Sequence, residues 1–384
     1  MASQGLQAVA KIPPFAYHND PIDIYISIYR EGEQYGADIV ATGRVLRVPI
    51  KMSVHDLAAL NEQLSQKMKA VINKNTTKET QREKLLQLAE IGHYTFKQVF
   101  NEDAQEVIQK LLAMSQRISI EISSDNFFLP WELIYPLRPD VDLSYEHFWG
   151  MNYIVSRVFK ANNPGAWVTP VISICSRLKM GLLTDSRLPS VVEKEIPFLE
   201  KLEKDGKIHL FKLRPLNPTK KQEEFRKFRE FWNNAMDIAH FACHALRTEP
   251  PNLSHIRLSN NFPITVMDLE VYGITVNGHP LIIMNACETG NLNPLYTSHF
   301  AAAFLKCGVR GVVATECTVP DTFAADFAEQ LYAHLFAGEL LGESLLATRR
   351  SFLEKDYNPS GLLYSMYASP SIRLSQIQDR ETFA

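Results

Sequence analysis

The sequence lacks the cysteine patterns of disulfide-stapled proteins. Its 384 residues include five cysteines, at positions 175, 243, 287, 307 and 317, and none of them forms a C-x-x-C pair. An odd number of unpaired cysteines fits a reducing compartment better than a disulfide framework. Any functional cysteine is therefore expected to act as a free thiol.

Long apolar runs and blocks of one charge are also missing. No stretch approaches the ~20 apolar residues of a membrane span, and the start has no basic segment followed by an apolar one. Lys and Arg number 40 against 43 Asp and Glu, a net charge of -3, without a basic cluster. We expect a cytoplasmic protein that binds neither membranes nor nucleic acid directly.

The sequence does contain enough apolar residues for a large core, with 46% hydrophobic and 10% aromatic residues. In the first half, strand patterns in "DIYISIYRE", "ADIVATGRVLRVPI" and "RISIEIS" are separated by helical patterns. One helix is predicted over 54–73, and two more helical stretches follow it. The segment "FFLPWELIYPLRPDVD" is predicted to be a rigid junction, and "KANNPGAWVTP" is the most linker-like stretch. We place a domain boundary near residue 160, between an α+β half (1–160) and a second unit (161–384).

The second half has a more regular pattern that predicts a parallel sheet. The predicted strands are "WVTPVISICS", "KIHLFKL", "MDIAHFAC", "PLIIMNAC" and "VRGVVAT", with amphipathic helices between most of them. Strands that alternate with helices indicate a mainly parallel sheet covered on both faces. The segment "LRTEPPNLSHIRLSNNFP" is predicted to be a long loop that walls a groove.

Two residue types with complementary chemistry follow strands of this sheet. His244 lies at the end of the strand in "DIAHFACHA", and Cys287 ends "PLIIMNAC". In parallel α/β sheets, functional groups gather at the carboxyl ends of the strands. If these strands are neighbours, an imidazole and a thiol face one crevice, which is the arrangement that nucleophilic cysteine catalysis requires.

The motifs around both residues resemble a known family. "HFACHA" is followed 43 positions after His244 by the cysteine of "NACETG", with "LPWELIYP" before and "VVATECTVPD" after. This combination is similar to the CHAT family of caspase-like cysteine peptidases, relatives of separases and caspases. Asn285 stands where caspases have Gln, and Gly290 is one position late, so their aspartate specificity is not carried over. The resemblance implies a caspase-like, mainly parallel sheet flanked by helices, preceded by the α+β half.

The resemblance also implies roles for individual residues. His244 would act as general base and acid, and Cys287 as nucleophile, a dyad for which no orienting Asn or Asp can be named. The backbone N–H groups of Ala245 and Cys287 would form the oxyanion hole. Ala245 stands where many relatives have Gly, which is acceptable only if its φ is negative. No cofactor or metal is implied.

Simpler explanations exist for neighbouring residues. A free cysteine is most often a buried packing residue, and Cys243 should be one, since strand alternation puts it on the face opposite His244. His240 and His244 could bind zinc on a helix, but on a strand they lie roughly 13 Å apart. For Cys287, the paired histidine and the motif favour the catalytic interpretation.

Three acidic residues lie in predicted loops at the same carboxyl edge of the sheet. Glu288, Glu316 and Asp321 could line the pocket for the residue before the scissile bond and favour Lys or Arg there. Asp321 could equally cap the helix that it begins. Both interpretations of Asp321 remain open at this point.

Three functions compete. The first is a specific endopeptidase that cleaves a protein substrate. An activating partner or signal would control it through the N-terminal half. Resemblance to bacterial CHAT proteases suggests a role in antiviral defence and a gasdermin-like effector as the substrate. The second is a catalytically silent scaffold that binds protein. The third is another thiol enzyme, such as an acyltransferase. Reactivity of Cys287 with peptide-like electrophiles and cleavage of a partner separate the three.

Overall fold

The chain folds into two large sheets with helices packed on them. The computed structural model describes residues 22–72, 78–113, 118–124, 126–160, 168–246, 248, 253–287, 294–316, 319–356 and 358–376, with backbone alone at 69–72, 78–81, 286–287, 294–296, 298 and 356. Mixed α/β architecture was predicted from the alternating patterns.

The first sheet belongs to the N-terminal half. The elements of this half are β1 (Ile24–Glu31), β2 (Gln34–Ala41), β3 (Arg44–Ser53), α1 (Val54–Ile72), α2 (Lys78–Val99), α3 (Glu102–Leu112), β4 (Ser119–Ser123), α4 (Trp149–Asn152) and β5 (Ile154–Val158). The strand order is β3-β2-β1-β4-β5, antiparallel through β1 to β3 and parallel where β4 joins β1 and β5. Alternation explains the core face, since Ile24, Ile26 and Ile28 are buried along β1. The predicted helix over 54–73 is confirmed as α1.

The second sheet has eight strands among the described residues and carries the candidate site. The strands after β5 are β6 (Val171–Ile174), β7 (Leu178–Thr184), β8 (Ile208–Lys212), β9 (Ile238–Leu246), β10 (His255–Leu258), β11 (Phe262–Thr265), β12 (Leu281–Cys287), β13 (Gly311–Thr315), β14 (Tyr364–Tyr367) and β15 (Arg373–Gln376). The main path of the sheet is β8-β7-β9-β12-β13-β14, parallel except for β14, and the hairpin β10-β11 continues from the end of β9. A separate two-stranded sheet pairs β6 with β15.

Helices cover both faces of this sheet, as the predicted parallel architecture requires. They are α5 (Ile196–Lys204), α6 (Lys221–Phe231), α7 (Val266–Val271), α8 (Pro294–Lys306), α9 (Asp321–Phe336) and α10 (Leu341–Asp356). One face packs against α9 and shares its core with the first sheet; the other packs against α6 and α8. None of the helices in the described part of the chain is long and apolar enough to cross a membrane.

Two predicted elements in the second half were wrong. "WVTPVISICS" was predicted to open the parallel sheet, but its strand β6 belongs to the small sheet, and the next stretch, "LKMGLLT", forms β7 beside β9. The predicted long loop after His244 contains β10 and the start of β11, which pair as an antiparallel hairpin. As a result, two strands that were not predicted, β7 and β10, pair with β9, the strand that carries His244.

A buried ion cluster joins the two halves. Glu132, in the segment predicted to be a rigid junction, is fully buried and accepts two hydrogen bonds from Arg157, at 2.8 and 2.6 Å. Arg349 of α10 lies 3.4 Å from the same carboxylate and also donates to the Tyr364 carbonyl at 2.6 Å. One continuous apolar core includes residues from both sheets. The domain boundary near residue 160 remains a prediction.

Candidate active site

Three neighbouring parallel strands end at one edge of the second sheet. In register, Thr184 of β7 pairs with Ala242 of β9, and His244 of β9 pairs with Cys287 of β12. The prediction that the strands carrying His244 and Cys287 are neighbours is therefore confirmed. Register partners on adjacent strands share a face of the sheet, so the backbone places positions 244 and 287 side by side.

His244 has an acidic partner that the sequence analysis did not find. Its Nδ1 lies 2.7 Å from Oδ2 of Asp185, the residue that directly follows β7. Because an ionised carboxylate can only accept, Nδ1–H donates, and Nε2 is left without a proton in the neutral ring. Neutral Nε2 is the form that a general base needs.

Asp185 is fixed in place from several sides. Its N–H donates to the Ala242 carbonyl at 2.8 Å, and its Oδ1 accepts from Nε of Arg187 at 2.8 Å. Burial raises the pKa of Asp185, but hydrogen bonds from His244 and Arg187 outweigh it and hold the pKa well below its usual range. Asp185 is therefore an anion over the whole pH range in which His244 can act.

The β10-β11 turn supports the loop that carries Asp185. Asn260 and Asn261 both adopt positive φ, 63° and 59°, which asparagine tolerates better than most residues. Oγ of Ser259 accepts from the Ser186 N–H at 3.0 Å and donates to the Thr184 carbonyl at 2.9 Å. Asn261 also accepts a hydrogen bond from Arg187. The hairpin therefore holds the first turn after β7.

Cys243 and Ala245 flank His244 on β9. Cys243 is fully buried on the opposite face, and burial raises the pKa of its thiol, so the packing interpretation is confirmed. Ala245 lies within β9 and is absent from the non-glycine residues with positive φ. The backbone therefore satisfies the condition set for alanine at this position. Its role in an oxyanion hole stays a prediction.

His240 is bound by two protein groups. Its Nε2 lies 2.6 Å from Glu195 and its Nδ1 2.9 Å from the Tyr332 hydroxyl. The same Glu195 accepts from Asn285 Nδ2 at 3.1 Å, and Asn285 Oδ1 accepts from Tyr364 at 2.9 Å. These buried hydrogen bonds cross the face of β9 and β12 that carries positions 244 and 287. An asparagine suits position 285 because its amide donates to Glu195 and accepts from Tyr364.

The three acidic candidates have different surroundings. Glu288 lies outside the described residues. Glu316 directly follows β13 and is fully buried; it accepts from the Tyr367 hydroxyl at 2.9 Å, with Arg157 at 3.7 Å. Burial raises the pKa of Glu316 to about 7, although Arg157 opposes the shift. Glu316 therefore belongs to the ion cluster between the sheets.

Asp321 lies at the N-terminus of α9. Its carboxylate accepts from the Thr322 N–H at 2.9 Å and from the Ser190 N–H at 3.3 Å. A carboxylate in the first turn is favourable because free N–H groups and the helix dipole meet there. The N-cap position of α9 is nevertheless Pro320, with no side-chain cap hydrogen bond, so the prediction that Asp321 caps this helix is wrong. Its part in a substrate pocket stays a prediction.

The raised pKa of Glu316 gives a stability prediction. Its folded pKa, about 7, exceeds the ordinary glutamate value of 4.5, so its contribution is full below pH 4.5 and is lost as pH rises through 7. Relative to wild type, Glu316→Gln, which cannot ionise, should gain up to roughly 3 kcal/mol in free energy of unfolding between pH 5 and 8. Urea unfolding at both pH values measures the gain.

Glu106→Gln is the matched control for Glu316→Gln. Glu106 is exposed on α3, where it pairs with Lys110, and that pair lowers its pKa. Relative to wild type, Glu106→Gln should show no gain in free energy of unfolding as pH rises from 5 to 8. If Glu316→Gln also shows none, the Glu316 carboxylate is ionised in the folded protein at pH 5.

These features define an α/β protein whose candidate active site lies at the carboxyl edge of a mainly parallel sheet. Crystal structures of the Saccharomyces cerevisiae separase-securin complex share this fold. The 3.0 Å structure matches with a TM-score of 0.53 at 10% identity over 90% of this chain and 30% of that chain. The 2.6 Å structure matches with a TM-score of 0.51 at 11% identity over 92% of this chain and 30% of that chain. The caspase-like fold class predicted from the sequence is confirmed.

Sequence comparison gives the family. The CHAT domain model matches residues 47–372, and the chain belongs to this family. A probable protease of Vitiosangium sp. (strain GDMCC 1.1324) is 31% identical over 147 residues, 36% of this chain. The aligned part covers 19% of that relative, and the structural match covers 30% of the separase chain.

Proposed function

We propose that the protein is a cysteine endopeptidase with Cys287 as nucleophile, His244 as general base and acid, and Asp185 as the residue that orients His244. The observation that carries the proposal is the placement of these three residues at the carboxyl ends of three adjacent strands, with the His244–Asp185 hydrogen bond at 2.7 Å. The CHAT family match, the separase-like fold and the relative named as a probable protease support it.

The residues would act in two balanced steps. Nε2 of His244 takes the Cys287 proton, and the thiolate attacks the peptide carbonyl carbon while the N–H groups of Ala245 and Cys287 stabilise the oxyanion. The imidazolium then protonates the leaving amine as the C–N bond breaks, which leaves a thioester. His244 next takes a proton from water, and hydroxide adds to the thioester. The C–S bond then breaks as the imidazolium returns its proton to the sulfur, which releases the acid and restores the thiol.

The substrate and control of the enzyme are finer parts of the proposal. We expect a protein substrate in the cytoplasm, cleaved after a partner or signal activates the enzyme, in a defence role of the kind that acts on gasdermin-like effectors. The separase of the similar structures is bound to securin, a precedent for protein partners on this fold. The alternatives are a silent scaffold and a different thiol enzyme such as an acyltransferase; the anionic Asp185 against His244 favours chemistry over a scaffold.

The test is covalent labelling followed by intact-mass measurement. Peptidyl acyloxymethyl ketones with Arg, Leu or Asp next to the reactive group should label wild type once per chain. We expect no labelling in Cys287→Ala and a loss of at least about a hundred-fold in rate in His244→Ala, since general base catalysis typically contributes that much. The preferred peptide then identifies the residue before the scissile bond.

The exposed thiol of Cys175 provides the control. Cys175→Ala should be labelled like wild type, because an exposed thiol without a base reacts slowly. Labelling that survives Cys287→Ala but disappears in Cys175→Ala would reject the proposal. If no peptide labels wild type, addition of proteins encoded beside it distinguishes an inactive state from a scaffold.

A further inference from the structure

Arg257 lies directly across from His244 on the side away from Cys287. It is the register partner of His244 in the antiparallel pairing of β10 with β9, and Cys287 is the register partner on β12. The three positions therefore form one row across three strands, on the same face of the sheet. Strands are spaced by about 4.8 Å, so the row spans about 10 Å, the length of roughly three extended residues.

Among the residues that the structure describes, Arg257 has no counterion for its charge. Arg257 is partly buried, and its Nε is buried with no hydrogen-bond partner. No carboxylate of the described residues forms an ion pair with it, whereas the neighbouring Arg187 is held by Asp185. A buried donor without a partner is costly, and a guanidinium keeps its charge at any physiological pH. Such a group is suited to an anion supplied from outside.

Other charged groups at this edge are already engaged. Asp185 is bound by His244 and Arg187, and Asp321 by two backbone N–H groups. His255, two residues before Arg257 on the same strand face, has a pKa lowered by burial. Of the described groups, Arg257 is therefore the one whose charge is available to a ligand beside His244.

We propose that Arg257 binds the carboxylate of an Asp or Glu side chain next to the scissile bond of the substrate. This specificity rests on the proposed peptidase function. A planar guanidinium matches a carboxylate with two parallel hydrogen bonds, which fixes the orientation of the substrate as well as its affinity. The proposal contrasts with the Lys or Arg preference expected from Glu288, Glu316 and Asp321.

Two small electrophiles that differ in charge test the proposal without a known substrate. Iodoacetate carries a carboxylate and iodoacetamide does not, and both alkylate a thiolate. The measured quantity is the rate constant for iodoacetate divided by that for iodoacetamide at Cys287. Peptide mass spectrometry at low salt follows both reactions. Loss of one positive charge several ångströms away should lower this ratio about five-fold in Arg257→Gln. Arg257→Lys should keep most of it, and high salt should reduce the difference.

Arg177→Gln is the matched control. Arg177 is exposed just before β7, at the opposite edge of the sheet, so this variant changes the net charge equally but not the site. Its ratio should stay within about two-fold of wild type, because the charge is distant and screened. An unchanged ratio in Arg257→Gln, or an equal fall in Arg177→Gln, overturns the assignment of Arg257.

The iodoacetamide rates separate this inference from the proposed function. If Cys287 of wild type reacts no faster than the exposed Cys175, even after proteins encoded beside it are added, the thiol is not activated and the peptidase proposal fails. If Cys287 reacts faster but the ratio does not depend on Arg257, the peptidase proposal stands and only the acidic specificity is rejected. Circular dichroism of each variant confirms that the fold is retained.

Discussion

Replacement of Asp185 by asparagine is expected to slow the reaction of Cys287 by about ten-thousand-fold, as the same change does in a Ser-His-Asp triad. The amide that replaces the carboxylate can donate to Nδ1, which would favour the tautomer with its proton on Nε2 and remove the base. Asp185 is fully buried and 2.7 Å from His244, so no water can take over its role without rearrangement. The rate of labelling by the preferred acyloxymethyl ketone at pH 7 measures the effect.

The control for this variant is Asp205→Asn. Asp205 is exposed at the C-terminal end of α5, before β8 and far from the carboxyl edge, and its replacement changes the net charge by the same amount. It should label at the wild-type rate. If Asp185→Asn also labels within a few-fold of wild type, then His244 and Cys287 act as the simple dyad predicted from the sequence, and Asp185 is a structural partner of Arg187.

Asp185 was missed because the strand before it was missed. β7 contains Gly181, and glycine inside a strand normally weakens a strand prediction. The reason for the glycine is tertiary: a Cβ at this position would collide with the sulfur of Met236 and lie 3.0 Å from the ring of Phe231. The sequence around Gly181 does not reveal these contacts with Met236 and Phe231, which are distant along the chain. An acidic residue directly after the apolar stretch "MGLLT" was the available signal.

The hairpin of β10 and β11 shows a different limit of sequence reasoning. Buried apolar residues occupy alternate positions along the two strands, at Ile256, Leu258, Phe262 and Ile264. The two-residue period of a strand was therefore present in the sequence. The intervening Ser-Asn-Asn was a turn signal, yet Pro263 and the long preceding segment favoured a loop. In contrast, β9 and β12 were predicted correctly, because continuous apolar runs of β-branched and aromatic residues distinguish central parallel strands.

The structure also bears on the proposed regulatory role of the N-terminal half. A chain that begins near residue 115 would be the most direct test of that role. Such a truncation would remove β1 to β3 and leave β4 at an open edge of the same sheet, with part of a shared apolar core exposed. We expect it to be insoluble, so point variants in the cluster between the halves are the better test.

Glu132→Gln is expected to lower the free energy of unfolding by about 3 kcal/mol or more, because it leaves buried guanidinium charge uncompensated. Glu132 binds Arg157 through both oxygens and also contacts Arg349 of α10. These residues lie in both halves, and one continuous apolar core includes residues from both sheets. Urea unfolding followed by circular dichroism should therefore show a single transition that shifts as a whole.

Glu106→Gln serves as the control for the cluster, since it breaks a surface pair with Lys110 on α3, in the same half as Glu132. Exposed pairs of this kind contribute little to stability because solvent and salt screen them, so its transition should hardly move. A curve for Glu132→Gln with two transitions, only one of them shifted, would mean that the halves unfold separately. In that case the N-terminal half could move relative to the active site, and control through it would regain a structural basis. A single shifted transition would instead mean that both halves unfold as one cooperative unit, including the strands that carry Asp185 and His244.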